Sequence, residues 1–262
     1  MMFFPCDFFS GQQIFMVYFL IPVYNEEGNI KSLLSNLNST MERLGEKSDF
    51  IFVNDGSSDG TADTLKKASR EHPITILLNE PNQGVGISFD KGFKHIVGIA
   101  KQNDIIVTME GDNTADLTTL PKLIASVRNG KDFALASVYT KGGKIVGTTP
   151  IRLLLSYTAN ILCKLVFRIW AVNTFSSFYR AHSLQAIKSL YQKHNGRVIT
   201  EKGYICMVEM LLKLYHSGYQ FDEIPTVLQS DKRVGTSKLK KLRTIAAYLR
   251  LFIKYPFSRF SS

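Results

Sequence analysis

Glu110 and Asp112, two carboxylates spaced two apart, close a largely β-branched run, Ile105-Ile106-Val107-Thr108-Met109. On an extended strand, side chains at i and i+2 leave the same side, so both could face one site. In an open α/β sheet, ligands bind just beyond the carboxyl ends of the strands. Two hard oxygen ligands there suit Mg²⁺ or Mn²⁺, whose shell is completed by substrate phosphates. The plainer reading of the same residues is a strand followed by a solvated acidic turn. Arg233 and Lys238 bring a second chemistry, since such cationic donors stabilise negative charge on an anionic group.

The elements that must position these groups are legible as hydrophobic patterns. Residues Phe15–Val23 are continuously apolar, as expected of a strand buried on both faces. The run breaks at Tyr24-Asn25-Glu26-Glu27-Gly28, and Asn29–Leu44 then carries Ile30, Leu33, Leu34, Leu37, Met41 and Leu44 at helical spacing. A strand over Phe50–Val53 leads through Asn54-Asp55-Gly56-Ser57-Ser58-Asp59-Gly60 to a helix from Thr61 to Arg70, with Asp59 expected as its N-cap. A third strand, Ile74–Leu78, leads through 79–86, with Gly84-Val85-Gly86 at its end, to a helix reaching Ala100. The Ile105 strand is the fourth. A helix follows Pro121, then a fifth strand, Phe133–Tyr139. This alternation predicts an α/β fold with a mostly parallel sheet flanked by helices. Polar or Gly-rich turns at successive strand ends point to a nucleotide-phosphate site on one edge.

The chain has 262 residues, 45% of them hydrophobic, enough for one substantial domain. Its net charge of +10 is unevenly placed: residues 231–262 hold nine Lys/Arg against Asp231 alone. The expected division is an N-terminal extension over 1–15, a domain over 16–230 and a basic tail over 231–262, with Met16 as the functional start. Cys6, Cys163 and Cys206 have no paired spacing, which indicates neither a metal nor a disulfide framework and favours a reducing compartment. Leu153–Cys163 is apolar but too short to span a bilayer.

Ile21-Pro22-Val23-Tyr24-Asn25-Glu26-Glu27, Val53-Asn54-Asp55-Gly56-Ser57-Ser58-Asp59-Gly60-Thr61 and Glu110-Gly111-Asp112 together resemble the family-two glycosyltransferases of the GT-A, Rossmann-like fold. Gly203-Tyr204 with Glu209-Met210, Glu223-Ile224-Pro225 and Arg233-Val234-Gly235-Thr236-Ser237-Lys238 continue the series. Dolichol- and polyprenyl-phosphate hexosyltransferases are the most similar subgroup. The resemblance implies transfer of a hexose from a nucleotide sugar, GDP-mannose or UDP-glucose in type, to a polyprenyl phosphate. It implies that Pro22, Tyr24, Asn25 and Glu26 line the nucleotide pocket with Gly84, and that Asp55 contacts base or ribose. Asp112 would be the main metal ligand, with Glu110 in place of the usual Asp, and Arg233, Ser237 and Lys238 would close over the diphosphate. Three departures stand out. Glu110 is one methylene longer than the Asp it replaces, Val138 stands where many relatives have Arg, and Asn173-Thr174 replaces an Asp before the retained Arg180.

A phosphate acceptor is already an anion and needs orientation more than a base. A sugar hydroxyl on a glycan, the alternative acceptor, needs one, and Glu209 is the carboxylate whose family position could supply it. Lys164 and Arg168, expected as i,i+4 neighbours on a helix over Ile151–Trp170, form a like-charge pair that an anion would relieve, and Arg180 joins them as an expected acceptor contact. The tail predicts a helix over Ser237–Tyr255 with Leu242, Ile245, Leu249, Phe252 and Ile253 on one side and Lys240, Lys241, Arg243, Arg250 and Lys254 around the rest. That is the pattern of an amphipathic helix on an anionic membrane surface, here the cytoplasmic face. No nucleic-acid module accompanies it, so nucleic acid is set aside as a partner.

Overall fold

Alternate residues of the first strand divide the molecule into two layers. Val17, Phe19, Ile21 and Val23 enter one core and Tyr18 and Leu20 the other, the period-two pattern of a strand covered on both faces. The computed structural model describes residues 15–234 and 241–255, the side chains of 241–243 excepted. In chain order the elements are β1 (Met16–Val23), α1 (Glu27–Leu44), β2 (Lys47–Asn54), α2 (Thr61–Ala68), β3 (Ile74–Leu78), α3 (Val85–Ile99), β4 (Ile105–Thr108), α4 (Leu120–Arg128), β5 (Phe133–Ser137), β6 (Lys144–Val146), α5 (Pro150–Phe167), β7 (Arg180–Ser183), α6 (Leu184–Lys193), α7 (Cys206–His216), β8 (Phe221–Pro225), β9 (Val227–Gln229) and α8 (Lys241–Lys254).

The main sheet runs β3-β2-β1-β4-β7-β5-β8. Its pairs are parallel except at β7, which lies antiparallel to both β4 and β5. The expected α/β architecture with a mostly parallel sheet is therefore observed. Helices α1 and α4 cover one face through Ile30, Leu33, Leu37, Leu123 and Ile124. Helices α3, α6 and α7 cover the other through Phe89, Phe93, Ile187, Leu190 and Leu211. Strands β6 and β9 pair in a small separate sheet beside the carboxyl end of β5.

Two expectations about the later elements are corrected. Helix α5 extends to Pro150 and Phe167, giving 18 residues of mean hydropathy 1.3, so a helix long and apolar enough to cross a membrane by length and composition does exist. One narrow face, Asn160, Cys163 and Phe167, is buried, and the Phe175 N–H donates to Asn160 Oδ1 at 2.9 Å, tying the helix to the domain. Helix α8 is no detached tail, since Ala247 and Leu251 belong to the core and Phe252 meets Phe167 edge-on at 5.5 Å. Its remaining apolar residues Ile245, Leu249 and Ile253 face outward.

Candidate active site

Strand β4 ends at Thr108, so Glu110 and Asp112 sit in the loop beyond it rather than on the strand itself. Gly111 lets that loop close on β1, because a Cβ there would come within 2.7 Å of Val23 Cγ1. Asn113, in the left-handed region at φ 62°, donates from Nδ2 to Asn29 O at 3.0 Å and Ser32 Oγ at 2.6 Å, pinning the loop to α1. Asp112 is buried. Its Oδ1 accepts from Thr114 N (3.1 Å) and Oγ1 (2.7 Å), and its Oδ2 from Arg233 Nε (2.6 Å) and Nη2. Arg233 Nη2 also lies 4.0 Å from Glu110 Oε1, so one guanidinium faces both carboxylates.

Arg233 arrives there through Asn29. The Asn29 Nδ2 donates to Val234 O at 3.1 Å, and Val234 N returns a bond to Asn29 Oδ1 at 3.3 Å. Glu26 Oε2 accepts from the same Asn29 amide at 2.6 Å. Burial, then the Asp112 charge, hold Glu110 well above the ordinary carboxylate range, Arg233 opposing and Glu26 adding to the rise. The Glu110 side chain keeps 32% of its surface open, so solvent tempers the effect, but its direction follows from like charges held together. Among the described residues no three His, Cys, Asp or Glu side chains could hold a metal by themselves. Glu110 and Asp112 offer hard oxygens only, a donor set that fits Mg²⁺ or Mn²⁺ shared with phosphate oxygens.

The expected nucleotide residues divide. Tyr24 is exposed and Pro22 buried beneath it at the end of β1. Asn25, at φ 53°, receives Ser58 N on its side chain at 2.8 Å and donates its own N–H to Ser57 Oγ at 3.0 Å. Glu26 N donates to Thr61 Oγ1 at 2.8 Å. The starts of α1 and α2 are also laced together. Asp59 Oδ1 takes Thr61 N and its Oδ2 takes Glu27 N, while Glu27 Oε2 takes Gly60 N. Asp59 thus caps from one residue before the N-cap position, which Gly60 holds.

Asp55 and Gly84 are held by contacts within the protein. Asp55 is buried, its carboxylate receiving Asn79 Nδ2, Gln83 N and Gly84 N at 2.8–3.0 Å. Three bonds to its two oxygens order the 79–84 loop, so Asp55 shapes the pocket wall. Gly84 (φ 98°) and Gly86 are glycines because the backbone of 201–202 lies against them, the space of each Cβ being taken by a carbonyl oxygen of Lys202 or Glu201. That close approach is protein on protein, not protein on phosphate.

Three further expectations are corrected. Arg180 is fully buried, donating to Ser177 O (2.7 Å) and Phe175 O (2.9 Å), and burial pulls its guanidinium down to about 10. It props the 175–177 turn and is shut off from the surface. Lys164 donates to Asn173 Oδ1 at 2.8 Å, while Arg168 lies past the end of α5 at φ 53°; the two are not stacked on one helix. Glu223 organises this corner, accepting from Asn173 N, Asn173 Nδ2 and Thr174 N at 2.6–2.9 Å. Glu209 is fully buried and saturated. It accepts from Thr200 N, Thr200 Oγ1, Glu201 N, Lys213 Nζ and Tyr255 OH. Burial alone would raise it, but Lys213 and these donors hold it below the ordinary carboxylate range, the reverse of what a general base needs. Ser237 and Lys238 lie outside the described residues.

Sequence reasoning missed Tyr204 as a site residue. Its ring stands edge-on to Phe178 at 5.7 Å. Burial, then the nearby Glu110 charge, raise its phenol, and Arg233, Asp112 and Glu26 also act on it. Its place in the Gly203-Tyr204 motif was the available signal.

The model of glycosyl transferase family 2 matches residues 18–193. The chain is 28% identical over 232 residues to a dolichol-phosphate mannosyltransferase of Pyrococcus furiosus, covering 88% of this chain and 61% of that protein. It is 28% identical over 223 residues to an undecaprenyl-phosphate mannosyltransferase of Micrococcus luteus, covering 84% and 86%. In fold it is similar to glucosyl-3-phosphoglycerate synthase from Mycobacterium tuberculosis, solved with Mn²⁺ and UDP-glucose, with TM-score 0.62 at 15% identity over 94% of this chain and 81% of that one. The acidic loop after β4, the interlaced starts of α1 and α2, and a family match over most of the sheet lead to one conclusion: the chain belongs to glycosyl transferase family 2.

Proposed function

We propose that this glycosyltransferase moves a hexose from a nucleotide sugar to a polyprenyl phosphate, working at a membrane surface. The observation that carries this reading is the meeting of Glu110, Asp112 and Arg233 at the carboxyl end of the central strand, beside Tyr24, Asn25 and Glu26. When bound by Asp112 and Glu110, Mg²⁺ or Mn²⁺ would neutralise charge on the leaving diphosphate. Arg233 is the chain's own contribution to the same task, a cation able to turn from Asp112 toward phosphate oxygens. Tyr204 and Glu26 border the space where the donor would be oriented for in-line displacement.

The acceptor follows from Glu209. With every lone-pair direction of that carboxylate occupied, it cannot deprotonate a sugar hydroxyl, whereas a phosphate needs no deprotonation near neutral pH. The polyprenyl-phosphate enzymes among the relatives support the same choice. The test is to incubate the protein with radiolabelled GDP-mannose or UDP-glucose, Mn²⁺ and polyprenyl phosphate, then extract lipid. Label should enter the lipid fraction and Asp112→Ala should abolish it. With a glycan acceptor supplied in a parallel incubation, label entering only the glycan would overturn the lipid-phosphate reading.

A further inference from the structure

Helix α8 ends on two polar residues that reach back into the domain. Lys254 Nζ donates to Thr200 Oγ1 at 2.9 Å and lies 3.4 Å from Glu201 Oε1. The Tyr255 hydroxyl donates to Glu209 Oε1 at 3.2 Å. Burial, then the Glu209 charge, push that phenol up, which keeps it a donor. The helix behind them is firmly seated: Tyr255 N donates to Leu251 O at 2.9 Å, and Leu251 is fully buried.

These contacts converge on the segment 198–204, which lies between α6 and α7 without helix or strand of its own. Its shape therefore rests on what grips it. Asp90 of α3 and Glu209 of α7 take the backbone N–H groups of 198–201, and Lys213 Nζ donates to Val198 O at 2.5 Å. Lys254 adds a grip on the side chains of Thr200 and Glu201. Just beyond them stands Tyr204, whose phenol feels the charges of Glu110, Arg233, Asp112 and Glu26. The plainer role for Lys254 and Tyr255 is to fasten α8. That helix, however, is already held by Ala247, Leu251 and the Phe252–Phe167 contact. Glu209 likewise keeps Thr200 N, Thr200 Oγ1, Glu201 N and Lys213 Nζ as donors without Tyr255. Bonds surplus to anchoring and to satisfying a buried carboxylate are left with one effect, which is to fix where the loop stands.

We propose that Lys254 and Tyr255 are positioning residues for sugar transfer: they hold the 199–204 loop so that Tyr204 stands beside the donor space, and the donor site thereby extends to the end of α8. The inference rests on the nucleotide-sugar reading above. It is tested by steady-state kinetics of Tyr255→Phe and Lys254→Met with nucleotide sugar and polyprenyl phosphate, together with hydrogen exchange of 199–204 in the absence of substrate. Tyr255→Phe keeps the ring, so its melting temperature should match wild type. In both variants the KM for donor should rise about threefold to tenfold, the scale of one lost hydrogen bond, with kcat little changed. The 199–204 amides should exchange faster. In a Tyr204→Ala background, Tyr255→Phe should add nothing further, because a residue that acts through another is not additive with it. A donor KM unchanged in both single variants overturns the proposal, whether or not they melt earlier. So does a full rise in KM that persists without the Tyr204 ring, or unaltered exchange over 199–204. A wild type that neither binds nucleoside diphosphate nor transfers sugar overturns the transferase reading and this role with it. If Tyr204→Ala does not fold, KM and exchange in the single variants decide.

Discussion

Glu209 and Lys213 form an ion pair of 2.8 Å with side-chain exposures of 0% and 5%, and removing one member of such a pair leaves the other uncompensated. Glu209→Gln should therefore cost roughly 3–5 kcal/mol of stability, read as a fall in denaturant midpoint. A true base would instead lose turnover at unchanged stability. His182 makes a second residue-scale prediction. It is buried between Phe93 and Phe133, both ring nitrogens lack a partner, and burial, then the Arg180 charge, hold it well below its ordinary range. The unfolded chain takes up that proton near pH 6.5 while the folded one does not, so stability falls as pH drops below about 6.5. Thermal melts from pH 7.5 to 5 should show this slope in wild type and a shallower one in His182→Phe. Asp112 and Glu209 look alike in sequence, each an acid within a family motif. What separates them is which distant groups reach them, and that is set by the fold.

At the scale of elements, β1 to β5 and α1 to α4 are legible because each rests on a local pattern, apolar runs for strands and i, i+3, i+4 spacing for helices. The observed ends shift by a few residues, as where β2 begins at Lys47 rather than Phe50. Strand β7 is not legible. Three of its four residues Arg180–Ser183 are polar, and they become a strand because they fill the gap between β4 and β5. The β6–β9 pairing is likewise a product of long-range register. The loop at 199–204 owes its shape to three neighbours: Asp90 Oδ1 takes Val198 N and Ile199 N, Glu209 takes Thr200 N and Glu201 N, and Lys202 O takes Gly86 N. Gly86→Ala would drive a methyl into the Glu201 carbonyl. It should lower the melting temperature and raise the KM for donor together, because the loop it displaces carries Tyr204. Loss of stability with an unchanged KM would show that Tyr204 does not depend on this packing.

At the scale of the molecule, α5 and α8 meet through Phe167 and Phe252 and leave Ile151, Leu154, Leu165, Ile245, Leu249 and Ile253 exposed, with Arg152, Arg250 and Lys254 on the same two helices. An apolar surface with flanking cations suits a bilayer rich in anionic lipid, each cation contributing up to about 1 kcal/mol. The protein should pellet with phosphatidylglycerol vesicles, detach progressively as salt rises through about 0.5 M, and bind several-fold less after Leu249→Glu. Pelleting with neutral vesicles to the same extent would refute the electrostatic part. One further consequence lies in the Asn29–Val234 exchange, which joins residues 205 positions apart. Chains fold from the N-terminus as they are made. Glu110 and Asp112 therefore leave the ribosome long before the guanidinium that neutralises them, and a nascent chain holds two facing acids with no cation between them until residue 233 is added. The transferase centre begins with the first helix and closes only once residue 233 has been added.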